Sequence, residues 1–244
     1  MHWMLDVLAP MRWPEAAGWL LLVNVGVFVL SLAAGELLVR LFADRRVTDA
    51  PDPLDRWEVL WAAICVVLNG GVAFAGWLLW RAGYLVVRRE TTAWRVALDV
   101  LVLLLAMDFL MYFFHRLAHA RWAFPVVHAT HHRYDKPRPL SLFVLSPFEV
   151  LGFGALWLAL LTAYPATWTA ILIYLALNLA SGTLGHLGVE PFPEAMAKWP
   201  LLRHVGSGTF HATHHHDRDV NYGFYTDVWD RLFGTAAPRK PLQN

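Results

Sequence analysis

Residues 150–189 run for forty positions without an Asp, Glu, Lys or Arg. A helix that crosses a bilayer needs about 20 predominantly apolar residues, so this stretch is long enough to cross twice. Its middle reads LTAYPAT, where Pro165 supplies a break and a tight turn. Two earlier runs have similar character. Residues 17–39 carry one charge, Glu36, near their end, and residues 59–80 carry none. With 57% hydrophobic and 16% charged residues, the chain lacks the polar surface a soluble domain of this length would need. It reads as an all-α integral membrane protein with four to five transmembrane helices.

The expected order begins with an amphipathic segment over 1–16, with Trp3 and Trp13 at the interface. Span one covers about 17–39. Its end, SLAAGE, superficially resembles a signal-peptidase site, but the run is longer than a signal core and reads as a retained span. Pro51 and Pro53 break the loop that follows. Span two covers about 59–80, with NGG at 69–71 as a weak point or a close helix contact. Span three, helical over 96–119, would be about 36 Å long at 1.5 Å per residue. Its last turns should therefore project beyond the membrane. Spans four and five, about 144–163 and 166–186, form a hairpin, and the tail from 187 is aqueous. The chain divides into an N-terminal part, 1–95, and a histidine-rich part, 96–244.

Charge narrows the partners. The net charge is +1 with no basic run, which gives no reason to expect nucleic acid. The lone Cys65 makes no intrachain disulfide and no cysteine-based metal site. The loops 40–56 and 81–95 carry four Arg each and lie on opposite sides by simple alternation, which leaves open a re-entrant segment in this region. The histidine-bearing loop and tail hold ten Lys and Arg, which places that face in the cytoplasm.

Nine of the twelve histidines fall into four groups. HRLAH provides His115 and His119, one helical turn apart. The pentapeptide HATHH occurs twice, giving His128, His131 and His132, then His211, His214 and His215. His186 closes SGTLGH. On a helix the first and last histidines of H-x-x-H-H share a face and the middle one is offset, so a triplet can serve two neighbouring centres. Neutral imidazole is a good ligand for Fe, Zn, Cu and Ni. Nine are too many for one ion and suit two ions at four or five each. A hydrolytic zinc site normally uses three protein ligands, and no H-E-x-x-H motif is present. Few carboxylates lie near the histidines, so the expected centre is almost purely nitrogenous, unlike the carboxylate-bridged di-iron bundles.

Asp108, Tyr112, His115 and His119 line one face of span three. A carboxylate inside a span is expensive, and Asp108 is expected to hold the tautomer of a ligand histidine. Glu149, at the start of span four, reads equally well as such a partner or as an interfacial carboxylate.

The order H-x3-H, H-x2-H-H, a single His, then H-x2-H-H resembles the fatty acid hydroxylase superfamily, which includes the sterol desaturases. DFLMYFFHRLAH, VHATHH and NYGFYTDVWDRLFGT carry the resemblance, over roughly residues 96–235. It implies a non-haem centre of two Fe ions that uses O2 to hydroxylate or desaturate an unactivated C–H position of a lipid, with hydroxylation preferred. It implies His115, His119, His128, His131, His132, His186, His211, His214 and His215 as ligands, with Zn able to replace Fe in purified protein. It also raises Asn221 and Asp230 as braces of the last histidine box. One departure matters: some relatives carry His or Asn four residues before His186, where this chain has Gly182. Asn178 acting through water, or His204, are substitutes. His216 should point away, and His2 is remote. No dinucleotide fingerprint or haem domain is present, so electrons come from an external ferredoxin or a cytochrome b5-like donor with its reductase. The rival readings are a zinc-dependent membrane hydrolase and a metal-binding transport protein.

Overall fold

The computed structural model describes residues 3–89 and 92–238. Every regular element among them is helical, and extended pairing is limited to three isolated backbone bridges. Lipid explains this: with no water to bind backbone polar groups, a helix satisfies its own. The helices are α1 (Trp3–Leu8), α2 (Trp13–Leu41), α3 (Arg56–Arg81), α4 (Ala93–Ala118), α5 (Phe124–Val127), α6 (Ala129–His132), α7 (Pro147–Ala163), α8 (Trp168–Gly185), α9 (Glu194–Lys198), α10 (Gly208–His216) and α11 (Val228–Phe233). Four of them, α2, α3, α4 and α8, are long and apolar enough to cross a membrane, and the protein is multi-pass. The fifth apolar helix, α7, has 17 residues.

The five apolar helices alternate in direction. A buried bond between Ser31 of α2 and Thr183 of α8 (2.9 Å) joins the first span to the last. The 42–55 loop lies on the histidine side: Arg46 bridges Val189, Tyr134 donates to Asp55, and Arg138 pairs with the buried Glu58 at 3.2 Å. Both α2 and α3 are continuous helices long enough to cross, and neither is broken as a re-entrant segment would be.

Small residues set the helix crossings. A Cβ on Gly70 would meet Leu21 at 3.1 Å, so the NGG segment is a close contact of α2 with α3 and does not break the helix. Gly76 faces Leu158, and Gly154 faces Val72, bringing α7 against α3. At the end remote from the histidines, fully buried Asp99 of α4 accepts from Tyr164 Oη (2.6 Å) and Thr167 N (2.7 Å) and pairs with Arg95 (3.0 Å). This carboxylate pins the Pro165 turn to α4. Cys65 is buried and accepts a weak bond from Asn69. Exposed Trp3, Trp13 and Trp94 ring one end of the bundle, with Trp57, Trp122 and Trp199 at the other, as interface anchors do.

With 26 residues, α4 is about 39 Å long, beyond the ~30 Å hydrocarbon core. Its C-terminal turn enters a cap made of α5, α6 and α9–α11. The helix stops at Ala118, so His119 is the C-cap residue.

Candidate metal centre

The nine histidines gather into two groups. His115, His119, His128, His132 and His214 form one, and His131, His186, His211 and His215 form the other, with the ligand atoms of each within 4.8 Å of one another. Both pentapeptides are divided by their helical offset. His128 and His132 enter the first group while His131 enters the second. His211 and His215 enter the second while His214 enters the first.

Several rings have their tautomer fixed by the backbone. A carbonyl oxygen only accepts, so an Nδ1 facing one must carry the proton. His115 Nδ1 donates to Tyr222 O (2.8 Å), His214 Nδ1 to Val220 O (2.7 Å), His186 Nδ1 to Gly182 O (2.7 Å) and His131 Nδ1 to Val144 O (3.2 Å). Their Nε2 atoms are therefore bare lone pairs. Yet His131 Nε2 and His186 Nε2 face each other at 3.3 Å, and His115 Nε2 faces His128 Nε2 at 2.9 Å. Further Nε2 pairs stand at 3.0 Å (His186–His211), 3.1 Å (His132–His214 and His211–His215) and 3.2 Å (His131–His215). In the His131–His186 pair both nitrogens are lone pairs, and these repel unless a cation lies between them. Nitrogens bound to one ion at about 2.0–2.1 Å stand about 2.8–3.4 Å apart at octahedral to tetrahedral angles. The donor sets fit one metal ion each.

The electrostatics agree. Burial, then the charge of neighbouring rings, holds His128, His131, His211, His214 and His215 well below the usual histidine range. The same causes, with Arg218 nearby, push His132 down to about 3 and His119 to about 2. All are neutral at physiological pH, the form that binds metal.

The supports of this arrangement are specific. Ser207 caps α10 by accepting from Phe210 N (3.2 Å), and Glu190 accepts from Thr209 N (2.9 Å) and Oγ1 (2.7 Å). The turn 220–222 supplies two of the four carbonyls. Its centre, Asn221, has φ 57°, a left-handed conformation Asn tolerates. Asn221 Nδ2 donates to Phe210 O (3.1 Å) and its Oδ1 accepts from Ala237 N (2.8 Å). Asp230, fully buried, accepts from Tyr222 N (2.8 Å), Gly223 N (2.7 Å) and Thr235 Oγ1 (2.7 Å). Tyr112 Oη lies 3.0 Å from Thr235 Oγ1 and accepts from Arg116.

Asp108 differs from expectation. It contacts no histidine among the described residues; it accepts from Tyr225 N (3.0 Å), Thr226 N (3.3 Å) and Thr226 Oγ1 (2.6 Å). Seven residues of helix put it about 10 Å along the axis from His115, whose Nδ1 is already taken by Tyr222. The carboxylate that does meet a ring is Glu149: His128 Nδ1 lies 2.7 Å from its Oε1, with both side chains buried. The signal was present in SPFE, where Ser146 caps α7 and Glu149 sits three residues on. That order predicts a side chain turned back to its own cap; packing sets Glu149 Oε1 against His128 as well.

The substitutes for a ligand at position 182 are engaged elsewhere. A Cβ on Gly182 would lie 2.7 Å from Leu142 and 3.3 Å from Phe224, so apolar side chains fill that space. Asn178 Oδ1 accepts from Tyr225 Oη (2.6 Å). His204 Nδ1 pairs with Asp227 (2.6 Å) away from both groups. His216 is exposed, and His2 lies outside the described residues.

Comparison with known proteins adds an independent line. A protein-family model described as fatty acid hydroxylase matches residues 100–235, more than half of the chain. A cholesterol 25-hydroxylase-like protein of Danio rerio is 28% identical over 189 residues, covering 73% of each chain. A very-long-chain aldehyde decarbonylase of Oryza sativa subsp. indica is 27% identical over 180 residues, 70% of this chain but only 28% of that protein. A methylsterol monooxygenase of Arabidopsis thaliana is 29% identical over 157 residues, 62% of this chain and 57% of that protein. No solved structure matches the chain significantly.

Proposed function

This chain belongs to the fatty acid hydroxylase family, and on that premise we propose that it is an O2-dependent membrane oxygenase holding two Fe ions. Its reaction is the hydroxylation or desaturation of an unactivated C–H position in a membrane lipid. The observation that carries this reading is the pair of nitrogen-only groups, five and four rings, at the rim of apolar helices. When bound, redox-active iron at such sites supplies O2 activation and oxidation of the C–H bond.

The protein's own part is preparation. Carbonyls of Val144, Gly182, Val220 and Tyr222 hold the Nδ1 protons and aim the Nε2 lone pairs inward. Burial keeps the rings unprotonated and excludes water from the oxidising centre. The apolar helices bring a lipid to the rim laterally. Two of the relatives described above are named for sterol oxidation, which supports a sterol-like or fatty acyl substrate.

Thirteen Lys and Arg of the described residues lie on the histidine side of the five apolar helices, against Arg12, Arg81, Arg88, Arg89 and Arg95 on the other. By the positive-inside rule the cap is cytoplasmic. Electrons then arrive from a soluble or membrane-bound donor there, a ferredoxin or a cytochrome b5-like protein with its reductase.

The test is lipid mass spectrometry of a host expressing the chain or its His131→Ala variant, aerobic and iron-replete. A lipid gaining one oxygen or losing two hydrogens only with the intact chain is the expected result. Identical lipids in both, or turnover that persists without O2 on two tightly held zinc ions, would overturn the reading.

A further inference from the structure

The two histidine groups are not backed alike. Every ring nitrogen with a fixed backbone partner, in either group, gives its Nδ1 proton to a neutral carbonyl. His128 alone, among the nine, sets its Nδ1 against a carboxylate, 2.7 Å from Glu149 Oε1, with each side chain 2% exposed. Glu149 Oε2 is also buried and has no hydrogen-bond partner. The carboxylate thus has no competing donor on its second oxygen. Glu149 lies in the first turn of α7, where the helix end favours negative charge.

We propose that Glu149 is a positioning residue that makes the two centres unequal. Its negative charge, 2.7 Å from His128 Nδ1, gives that ring a more basic Nε2, so the five-histidine group binds its metal more tightly than the four-histidine group. A carboxylate behind a ligand histidine raises the ligand's basicity, and losing such a partner typically costs 10–100-fold in affinity. The arrangement is asymmetric because the second pentapeptide has no counterpart: His211, His214 and His215 have no carboxylate contact among the described residues. This inference rests on the metal-binding part of the proposed function and needs neither iron nor O2.

The experiment is a Co(II) titration of the purified, metal-free full chain in detergent, followed by the visible absorption of the bound ion. Wild type should fill in two steps of unequal affinity. Glu149→Gln should weaken the tighter step by about 10–100-fold and leave the weaker one within about 2-fold, with a shifted spectrum for the first ion only. Two unchanged steps in Glu149→Gln, or an equal loss in both, would overturn the proposal while leaving a two-metal protein. Failure of wild type to bind Co(II) at all would overturn the proposal and the metal-centre reading together. Should the variant not fold, nitrogen-15 resonances of histidine in the zinc-loaded wild type decide the matter. One Nδ1 shifted towards imidazolate, apart from the rest, is expected, and nine alike would refute it.

Discussion

Asp230 Oδ1 takes the backbone N–H of Tyr222 at 2.8 Å, and the carbonyl of that same Tyr222 takes the Nδ1 proton of His115 at 2.8 Å. A carboxylate near the chain end therefore sets the orientation of a ring on α4. Replacing it with Ala strands the Tyr222 and Gly223 N–H groups in a buried place, each costing about 1–3 kcal/mol. Asp230→Ala is expected to lose about 10–100-fold in metal affinity and to melt several degrees lower. Metal content after dialysis against a chelator checks it; full retention would separate Asp230 from the site.

Asn221 allows a graded test. Gly at this position keeps the left-handed backbone easily and loses the bonds to Phe210 O and Ala237 N. Ala loses both bonds and adds about 1 kcal/mol of backbone strain. Thermal stability should fall in the order wild type, Asn221→Gly, Asn221→Ala. If Ala equals or exceeds Gly, the left-handed turn is not what positions Val220 and Tyr222.

Acid should destabilise the metal-free protein. Six rings outside the spans, His128, His131, His132, His211, His214 and His215, are held below the usual range in the folded state, chiefly by burial. In the unfolded chain they take up protons at about pH 6.5. Below that the unfolded state binds protons the folded state refuses, so stability declines as pH falls, by about 1.4 kcal/mol per pH unit for each ring. The decline runs from about pH 6.5 towards about 3, where His132 titrates folded. Melting temperature measured between pH 8 and 5 should be level at first and then drop. A flat or rising profile would show that the rings are not buried neutral.

His204 is the control. It pairs with Asp227 rather than with any ring of the two groups. His204→Ala should lower stability modestly and leave the number of bound metal ions unchanged. Loss of an ion would make it a ligand after all.

Much of this architecture can be read in the residues, for identifiable reasons. A forty-residue uncharged run with Pro165 at its centre has few alternatives to a helical hairpin. The offset within H-x-x-H-H follows from helical period alone, and the rings part accordingly. What period cannot reveal is which neighbour a side chain meets. Asp108 shares a face with His115, yet its oxygens are claimed by Tyr225 and Thr226 from over a hundred residues away. Glu149 belongs to a sequence pattern that predicts a local cap, and only packing turns it to His128. The carbonyls that orient the rings are backbone atoms and leave no mark in residue identity. Charge alone did not order residues 40–95, since each loop carries four Arg; contacts such as Arg46 with Val189 do so.

The early helices have one more implication. Ser31 reaches Thr183, Pro139 sits against Gly35, and Glu58 holds Arg138. All these contacts join residues outside the family-matched stretch to residues within it, Thr183 lying three residues before His186. A chain trimmed to begin at α4 would retain all nine rings and yet lose the helices that brace the residues beside them. The fold around the cap therefore draws on helices that lie outside the stretch the family model matches.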